Sequence, residues 1–224
     1  MLEDEDLFVK RRFILASASP RRHDLLCSVG LDHEILVTDA DETPSCSCPE
    51  GEMYASWFAR QVSLIKAEAA VDAVKDSPGD GEVFIISGDT VVTPDGDEIF
   101  GKPSDEADAV RMLSVLSGKG HYVIGGITVA RIADGVVSYA SRSVKTLVNF
   151  KSLSEREINE YVASGEVWGK AGAYAIQGLG GVFVTSVTGD YPNVVGISTS
   201  VLFDILEENF SLKLTEEARR QIQT

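Results

Sequence analysis

Apolar positions along this chain switch repeatedly between short continuous runs and helical spacing. A run over 13–16 stops at Ser17, and Ser19-Pro20 then offers a helix N-cap followed by proline at the first helical position. That pattern predicts strand, loop and helix, with Leu25, Leu26 and Val29 inward and Gly30 as the stop. A second strand is expected over 34–38, leading into Asp41-Glu42-Thr43-Pro44 and a polar loop. Over 52–74, Met53, Trp57, Phe58, Val62, Ile65, Ala69 and Val74 recur at helical spacing and predict one long amphipathic helix, with a linker over 76–81. Val83-Phe84-Ile85-Ile86 has the continuous apolar character of a central buried strand, and it delivers Asp89 at its end. Pro94-Asp95-Gly96-Asp97 is a turn.

In the second half, Ser104, with acids at 105 and 106, is the expected cap of a helix whose Ala107, Val110, Leu113 and Leu116 share one face and which ends near Gly118. The stretches 121–132 and 136–150 alternate, and Ala133-Asp134-Gly135 joins them into a long β-hairpin. Ser154 and Glu157 form a capping box that opens a helix to Ala163. The glycine-rich region 165–181 is expected to be a loop with one short strand, followed by a strand over 182–187 and helices over 193–209 and 215–223. Alternation of the two periods indicates an α/β fold.

Composition narrows the picture. With 224 residues, 44% of them hydrophobic, the chain can bury a substantial core, and one domain over 11–224 behind a disordered acidic tail over 1–10 is expected. Met1 to Asp6 carries four acids and no apolar run, unlike a signal or transit segment. No apolar stretch approaches the roughly 18–20 residues that span a bilayer. Twenty basic residues against 35 acidic ones give a charge of −15, which disfavours DNA or RNA as partner and leaves room only for a local basic pocket. Cys27, Cys46 and Cys48 make no even disulfide framework, and a reducing cytoplasm fits them best. Cys46-Ser-Cys48 resembles half of a metal site, but no second Cys/His pair follows it, and the three histidines lack metal spacing.

Familiar catalytic signatures are missing. No Gly-Lys pair completes a P-loop, the glycines around Gly178 do not make a dinucleotide fingerprint, and there is no nucleophile elbow. His121, at the start of a hairpin strand, is expected to be a packed structural histidine. What survives is a set of polar and cationic residues at the ends of apolar elements. Ser17, Ser19, Arg21 and Arg22 gather hydroxyls, free amides and guanidiniums at one helix N-terminus, a cradle suited to phosphate. The same pattern also describes an ordinary capped helix with solvated arginines, although arginines in a first turn oppose the helix dipole unless an anion lies nearby. Asp89 can hold Mg²⁺, accept a proton from water, or merely form a turn. Lys102 and Lys170 each stand among glycines that allow a backbone to approach a ligand closely.

Taken together, four blocks resemble the Maf family of nucleotide pyrophosphatases from about Phe13 to Leu206. They are Leu15 to Arg22, Asp41 to Pro44, Ser87 to Val92 with Gly101-Lys102-Pro103, and Tyr161 to Glu166 running on to Lys170 through Gly178. The resemblance implies a Maf/ITPase-like mixed β-sheet flanked by helices, two lobes around a deep cleft, and often a homodimer. It also implies a hydrolase in which water attacks a nucleoside triphosphate at the α-phosphate with a divalent cation, Mg²⁺ or Mn²⁺, as cofactor. On that reading Asp89 is catalytic, Glu42 and Asp89 face the metal, and Ser17, Ser19, Arg21, Arg22, Thr90, Lys102, Lys170 and Gln177 bind substrate. Arg21, Thr90 and Gln177 are similar to the branch acting on dTTP and UTP, whereas the 7-methyl-GTP branch has Trp, Gln and Glu there. A glutamine amide both donates and accepts, which suits a uracil or thymine edge. The family's helix lysine is displaced: at its usual spacing stands Val62-Ser63, and Lys66-Ala67 follows about one turn later. Either the helix is extended by a turn or that phosphate contact is lost, and its loss would favour a nucleotide-binding regulator, for instance one acting in cell division, over an enzyme.

Overall fold

A computed structural model describes residues 10–76 and 81–213. The expected acidic tail over 1–10 falls outside these residues except for Lys10, and the helix expected over 215–223 falls outside them entirely. The chain runs β1 (Arg11–Ala16), α1 (Pro20–Ser28), β2 (Glu34–Ile35), α2 (Tyr54–Val74), β3 (Glu82–Thr93) and α3 (Glu106–Leu116). It continues through β4 (Gly120–Ala133), β5 (Val136–Phe150), α4 (Glu155–Ala163), β6 (Val184–Thr188), α5 (Tyr191–Val195) and α6 (Thr199–Phe210). One mixed sheet results, in the order β2-β1-β3-β4-β5-β6. β1 is parallel to β2 and β3, and the remaining neighbours are antiparallel.

Strand alternation builds the layers. Val83 and Ile85 of β3, with Ile14 and Ala16 of β1, pack against Ala70 and Val71 of α2. The intervening Phe84 and Ile86, with Phe13 and Leu15, face the other way, onto Leu26 of α1 and Leu202, Ile205 and Leu206 of α6. Leu26 is fully buried, a placement worth about 1.5–3 kcal/mol. A further core at the far end of the sheet joins Val92, Val123, Val148 and Phe150 to Leu113 and Leu116 of α3 and Ile158 and Val162 of α4.

Several expectations are corrected. The strand expected over 34–38 pairs only at Glu34 and Ile35. The long helix buries a stripe of small residues, Ala55, Ala59, Ser63, Ala67 and Ala70, alongside Trp57, Val62 and Val71, while Phe58, Ile65 and Ala69 are only partly covered. Close approach explains this: a Cβ on Gly126 of β4 would stand 1.9 Å from the Ala59 carbonyl oxygen, so α2 lies backbone against backbone on the sheet. Asp105, not Ser104, caps α3 by accepting from the Asp108 amide, and this turns Ala109 and Met112 inward and leaves Ala107 exposed. The region 165–181 holds no strand; it folds into two short 3₁₀ turns, Ala171–Ala173 and Leu179–Phe183. The helix expected over 193–209 is divided at Gly196 into α5 and α6, the second capped by Ser198. The capping box at Ser154 and Glu157 forms as expected.

Candidate functional site

Asp89 is not at the end of its strand. β3 runs on to Thr93 because β4 continues to pair with it as far as Tyr122, but β1 leaves after Ala16 pairs with Ser87. From residue 88 until Phe100 bridges to Val92, one edge of β3 is therefore uncovered, just beyond the carboxyl end of β1, which is where open α/β sheets accommodate ligands. A cavity of about 720 Å³ opens there, and Ser17, Ser19, Arg21, Arg22, Glu42, Asp89, Thr90, Lys102, Lys170 and Gln177 all line it.

The alternation of β3 sends Asp89 and Thr90 to opposite faces. Asp89 points to the α2 side, where Lys66 Nζ lies 2.9 Å from its Oδ1 and 3.1 Å from Glu42 Oε2. Lys66 and Asp89 are only 17% and 16% exposed, whereas Glu42, on its loop, is 56% exposed. Lys66, the lysine that follows Val62-Ser63 by one turn, thus lines the cavity. The sequence carries a signal for it: a lysine between Ser63 and Ala67, on the buried stripe of a helix, is rare unless it is paired.

Thr90 points to the α1 side. Its hydroxyl donates to the Gly196 carbonyl at 3.2 Å and accepts from Arg22 Nη2 at 3.1 Å. Arg22 also donates through Nε to Gly196 O at 2.9 Å and through Nη1 to Ser17 Oγ at 3.0 Å. Three of its five N–H groups are thereby used inside the protein. Burial pushes this guanidinium below its ordinary value, and the nearby Asp89 charge partly offsets the shift. Arg22 is thus a buried brace joining α1, β3 and the α5–α6 junction, rather than the solvated fork that its position in the sequence suggests.

Arg21 behaves differently. Its Nε is buried and has no hydrogen-bond partner among the described residues. Burial lowers its proton affinity, while the Glu166 charge raises it. Lys170 is also held below its ordinary value, first by burial and then by the Arg21 charge. Two cations pressing on each other, one with an orphaned donor, form a site that an anion would relieve. At the start of α1, Ser19 occupies the N-cap position without a side-chain cap bond, and Ser17 Oγ accepts the Ser19 amide at 3.2 Å.

The loops bearing the other cations are tied together. The Gly172 amide donates to Gly101 O at 3.0 Å, which joins the segment after Lys170 to the one before Lys102. Gly172 has φ +67, and a Cβ on it would stand 2.8 Å from Val92, so only glycine lets this loop settle on β3. Glu166, to which the sequence reading gave no role, fixes the next turn: its carboxylate accepts from the Leu179 and Gly180 amides and from the Tyr161 hydroxyl. Gln177, exposed at the cavity rim, lies in this turn. Behind the wall residue Tyr174, His121 is 1% exposed, with Nε2 2.9 Å from the tyrosine hydroxyl, and burial pushes it down to about 4. It is the packed structural histidine that its position suggests.

Cys46 and Cys48 are free thiols. The histidines do not all lack metal geometry, because His23 and His33 meet Cys27 outside the cavity. Among the described residues no helix is long and apolar enough to cross a membrane.

Comparison with known proteins agrees with this architecture. The profile of the family described as Maf-like protein matches residues 12–209. A dTTP/UTP pyrophosphatase from Thermoanaerobacter sp. (strain X514) is 39% identical over 203 residues, which is 91% of this chain and 99% of that protein. A dTTP/UTP pyrophosphatase from Geotalea uraniireducens (strain Rf4) is 43% identical over 199 residues, 88% of this chain and 94% of that protein. A third, from Thermosipho africanus (strain TCF52B), is 42% identical over 195 residues, 87% and 92% of the two chains. The chain belongs to the Maf-like protein family.

Proposed function

We propose that this chain hydrolyses dTTP and UTP to the monophosphate and pyrophosphate. The observation that carries the reading is the meeting of Asp89 with Lys66, Arg21, Lys102 and Lys170 around one cavity large enough for a nucleotide. The names of the relatives support the substrate class.

In this reading the triphosphate lies along the start of α1. Ser17, Ser19 and Arg21 hold its oxygens there, and Lys102 and Lys170 neutralise the pyrophosphate as it leaves. Water attacks the α-phosphorus, the bridging P–O bond to the β-phosphate breaks, and the proton released by the water passes to Asp89. Lys66 keeps the Asp89 carboxylate aimed into the cavity. Arg22 and Thr90 support the walls from the α1 side. Gln177 reads the pyrimidine edge with its donor and acceptor pair.

Glu42 and Asp89 suit a divalent cation. Both supply hard carboxylate oxygens, and both converge on one positive charge, the Lys66 ammonium. Mg²⁺ or Mn²⁺ held there would supply Lewis-acid polarisation of the phosphate. Three free cysteines fit a reducing cytoplasm, and a homodimer is the assembly that the family resemblance implies.

Purified protein incubated with Mg²⁺ and UTP, dTTP or 7-methyl-GTP tests the proposal through its products. Monophosphate and pyrophosphate in equal amounts, formed fastest from UTP and dTTP, are expected. Binding without product would instead make the chain a nucleotide-sensing regulator, and a preference for 7-methyl-GTP would refute the base assignment.

A further inference from the structure

A second grouping of ligand-type side chains lies outside the cavity. His23 and Cys27 stand one helical turn apart on α1, and His33 follows in the loop before β2. His23 Nδ1 is 2.9 Å from His33 Nε2, and Cys27 Sγ is 3.7 Å from His23 Nε2 and 3.8 Å from its Nδ1. One ligand atom from each residue lies within 4.8 Å of the others, and among the described residues no other three His, Cys, Asp or Glu side chains gather this way. Tetrahedral zinc needs neighbouring nitrogens about 3.3 Å apart and nitrogen and sulfur about 3.6 Å apart. The His23–His33 and His23–Cys27 separations differ from these by a few tenths of an ångström, and Cys27 and His33 lie within 4.8 Å of each other.

The hydrogen bonding of His33 specifies which atom it offers. Its Nδ1 lies 2.8 Å from the Leu31 carbonyl oxygen, which can only accept, so Nδ1 carries the proton and Nε2 turns a lone pair toward His23 and Cys27. A ring nitrogen anchored to a backbone carbonyl, with the other nitrogen presented, is the arrangement that orients metal-ligating histidines. Without a metal the lone pair accepts a hydrogen bond from His23 Nδ1–H; with one, His23 would take its other tautomer, the proton moving to Nε2 through solvent, and Nδ1 would become a ligand.

We propose that His23, Cys27 and His33 bind a borderline-soft divalent cation, zinc above all, outside the nucleotide cavity. Two imidazoles and a thiolate select this class of ion and offer nothing to Mg²⁺, which requires oxygen. Three protein ligands leave a fourth position for water, and the exposure of Cys27 gives the ion direct entry from solvent. The bound ion would fasten the middle of α1 to the loop that carries the chain into β2. None of the three residues lines the cavity, so the site is independent of the proposed hydrolysis.

Titration with Co²⁺, in excess Mg²⁺ to occupy the carboxylates of the cavity, tests this directly. Wild-type protein is expected to develop a thiolate-to-cobalt charge-transfer absorption that saturates at one ion per chain and is displaced by Zn²⁺. Cys27→Ser should abolish the band, His33→Ala should weaken binding on the order of tenfold or more, and the Cys46→Ser/Cys48→Ser double variant should retain the band. Pyrophosphate release by Cys27→Ser protein, unchanged from wild type, verifies its folding. As a second reading, Zn²⁺ should raise the melting temperature of the wild type and raise that of His33→Ala less at the same concentration. Absence of the band, its survival in Cys27→Ser, or its loss in the Cys46/Cys48 variant overturns the proposal.

Discussion

Lys66 and Asp89 meet as an ion pair of 2.9 Å at the uncovered edge of β3, with both side chains largely shielded from solvent. The lysine comes from the buried stripe of α2 and the aspartate from the face of β3 turned toward that helix. Each offsets the other's charge in this shielded place, and Glu42 shares the lysine at 3.1 Å.

Asp89→Asn keeps the shape of the side chain and removes its capacity to accept a proton. Turnover should fall on the order of a hundredfold or more while nucleotide binding, measured by calorimetry, is largely retained. Undiminished turnover would remove Asp89 from the chemistry.

Lys66→Met preserves the length and apolar stem of the side chain but leaves Asp89 and Glu42 facing each other without their shared cation. A drop in kcat/KM on the order of tenfold or more is expected, because the two carboxylates then repel the incoming phosphates. Unchanged kinetics would show that the lysine only balances charge.

Gln177→Glu replaces a donor and acceptor pair with acceptors alone. The ratio of kcat/KM for UTP to that for 7-methyl-GTP should fall, on the order of tenfold, and an unchanged substrate ranking would dismiss base reading at this position.

Stability should depend on pH through His121. Burial depresses it in the folded chain from 6.5 to about 4, so between those values the unfolded chain binds more protons than the folded one. Its contribution is fully present above about pH 6.5 and is lost as pH falls toward 4, amounting to about 3 kcal/mol across the window. Denaturant melts of wild type and His121→Gln at pH 7 and pH 4.5 check this, with the variant expected to lose less stability on acidification.

Gly126→Ala tests the packing that positions α2 and hence Lys66. The added methyl meets the Ala59 carbonyl at 1.9 Å, and a loss on the order of 3 kcal/mol or more is expected. A variant as stable as wild type would show that α2 can shift freely off the sheet.

Much of this architecture was legible in periodicity, because strands and amphipathic helices announce themselves through the side chains they bury. β1, α1, the β4–β5 hairpin and the Ser154 capping box all carry such local signals. Apart from the local shift of the α3 cap from Ser104 to Asp105, the main errors share a cause, namely contacts between segments distant in sequence. The length of β3 depends on β4, the small-residue face of α2 depends on Gly126, and the division at Gly196 depends on Arg22 and Thr90, which both bond to its carbonyl. The ten candidate site residues converge on one cavity, yet their different employments were not legible. Arg21 and Arg22 are adjacent and chemically identical, but one keeps an orphaned donor while the other is a buried brace. The His23, Cys27 and His33 cluster was missed because its third member comes from a loop that no regular spacing marks.

Hydrolysis to the monophosphate requires attack of water at the α-phosphorus. A single turnover of UTP in ¹⁸O-labelled water, with the products separated and weighed by mass spectrometry, reads this out. Label is expected in the uridine monophosphate and none in the pyrophosphate; label in the pyrophosphate, or release of uridine diphosphate and orthophosphate, would place the attack at another phosphorus and refute the proposed hydrolysis.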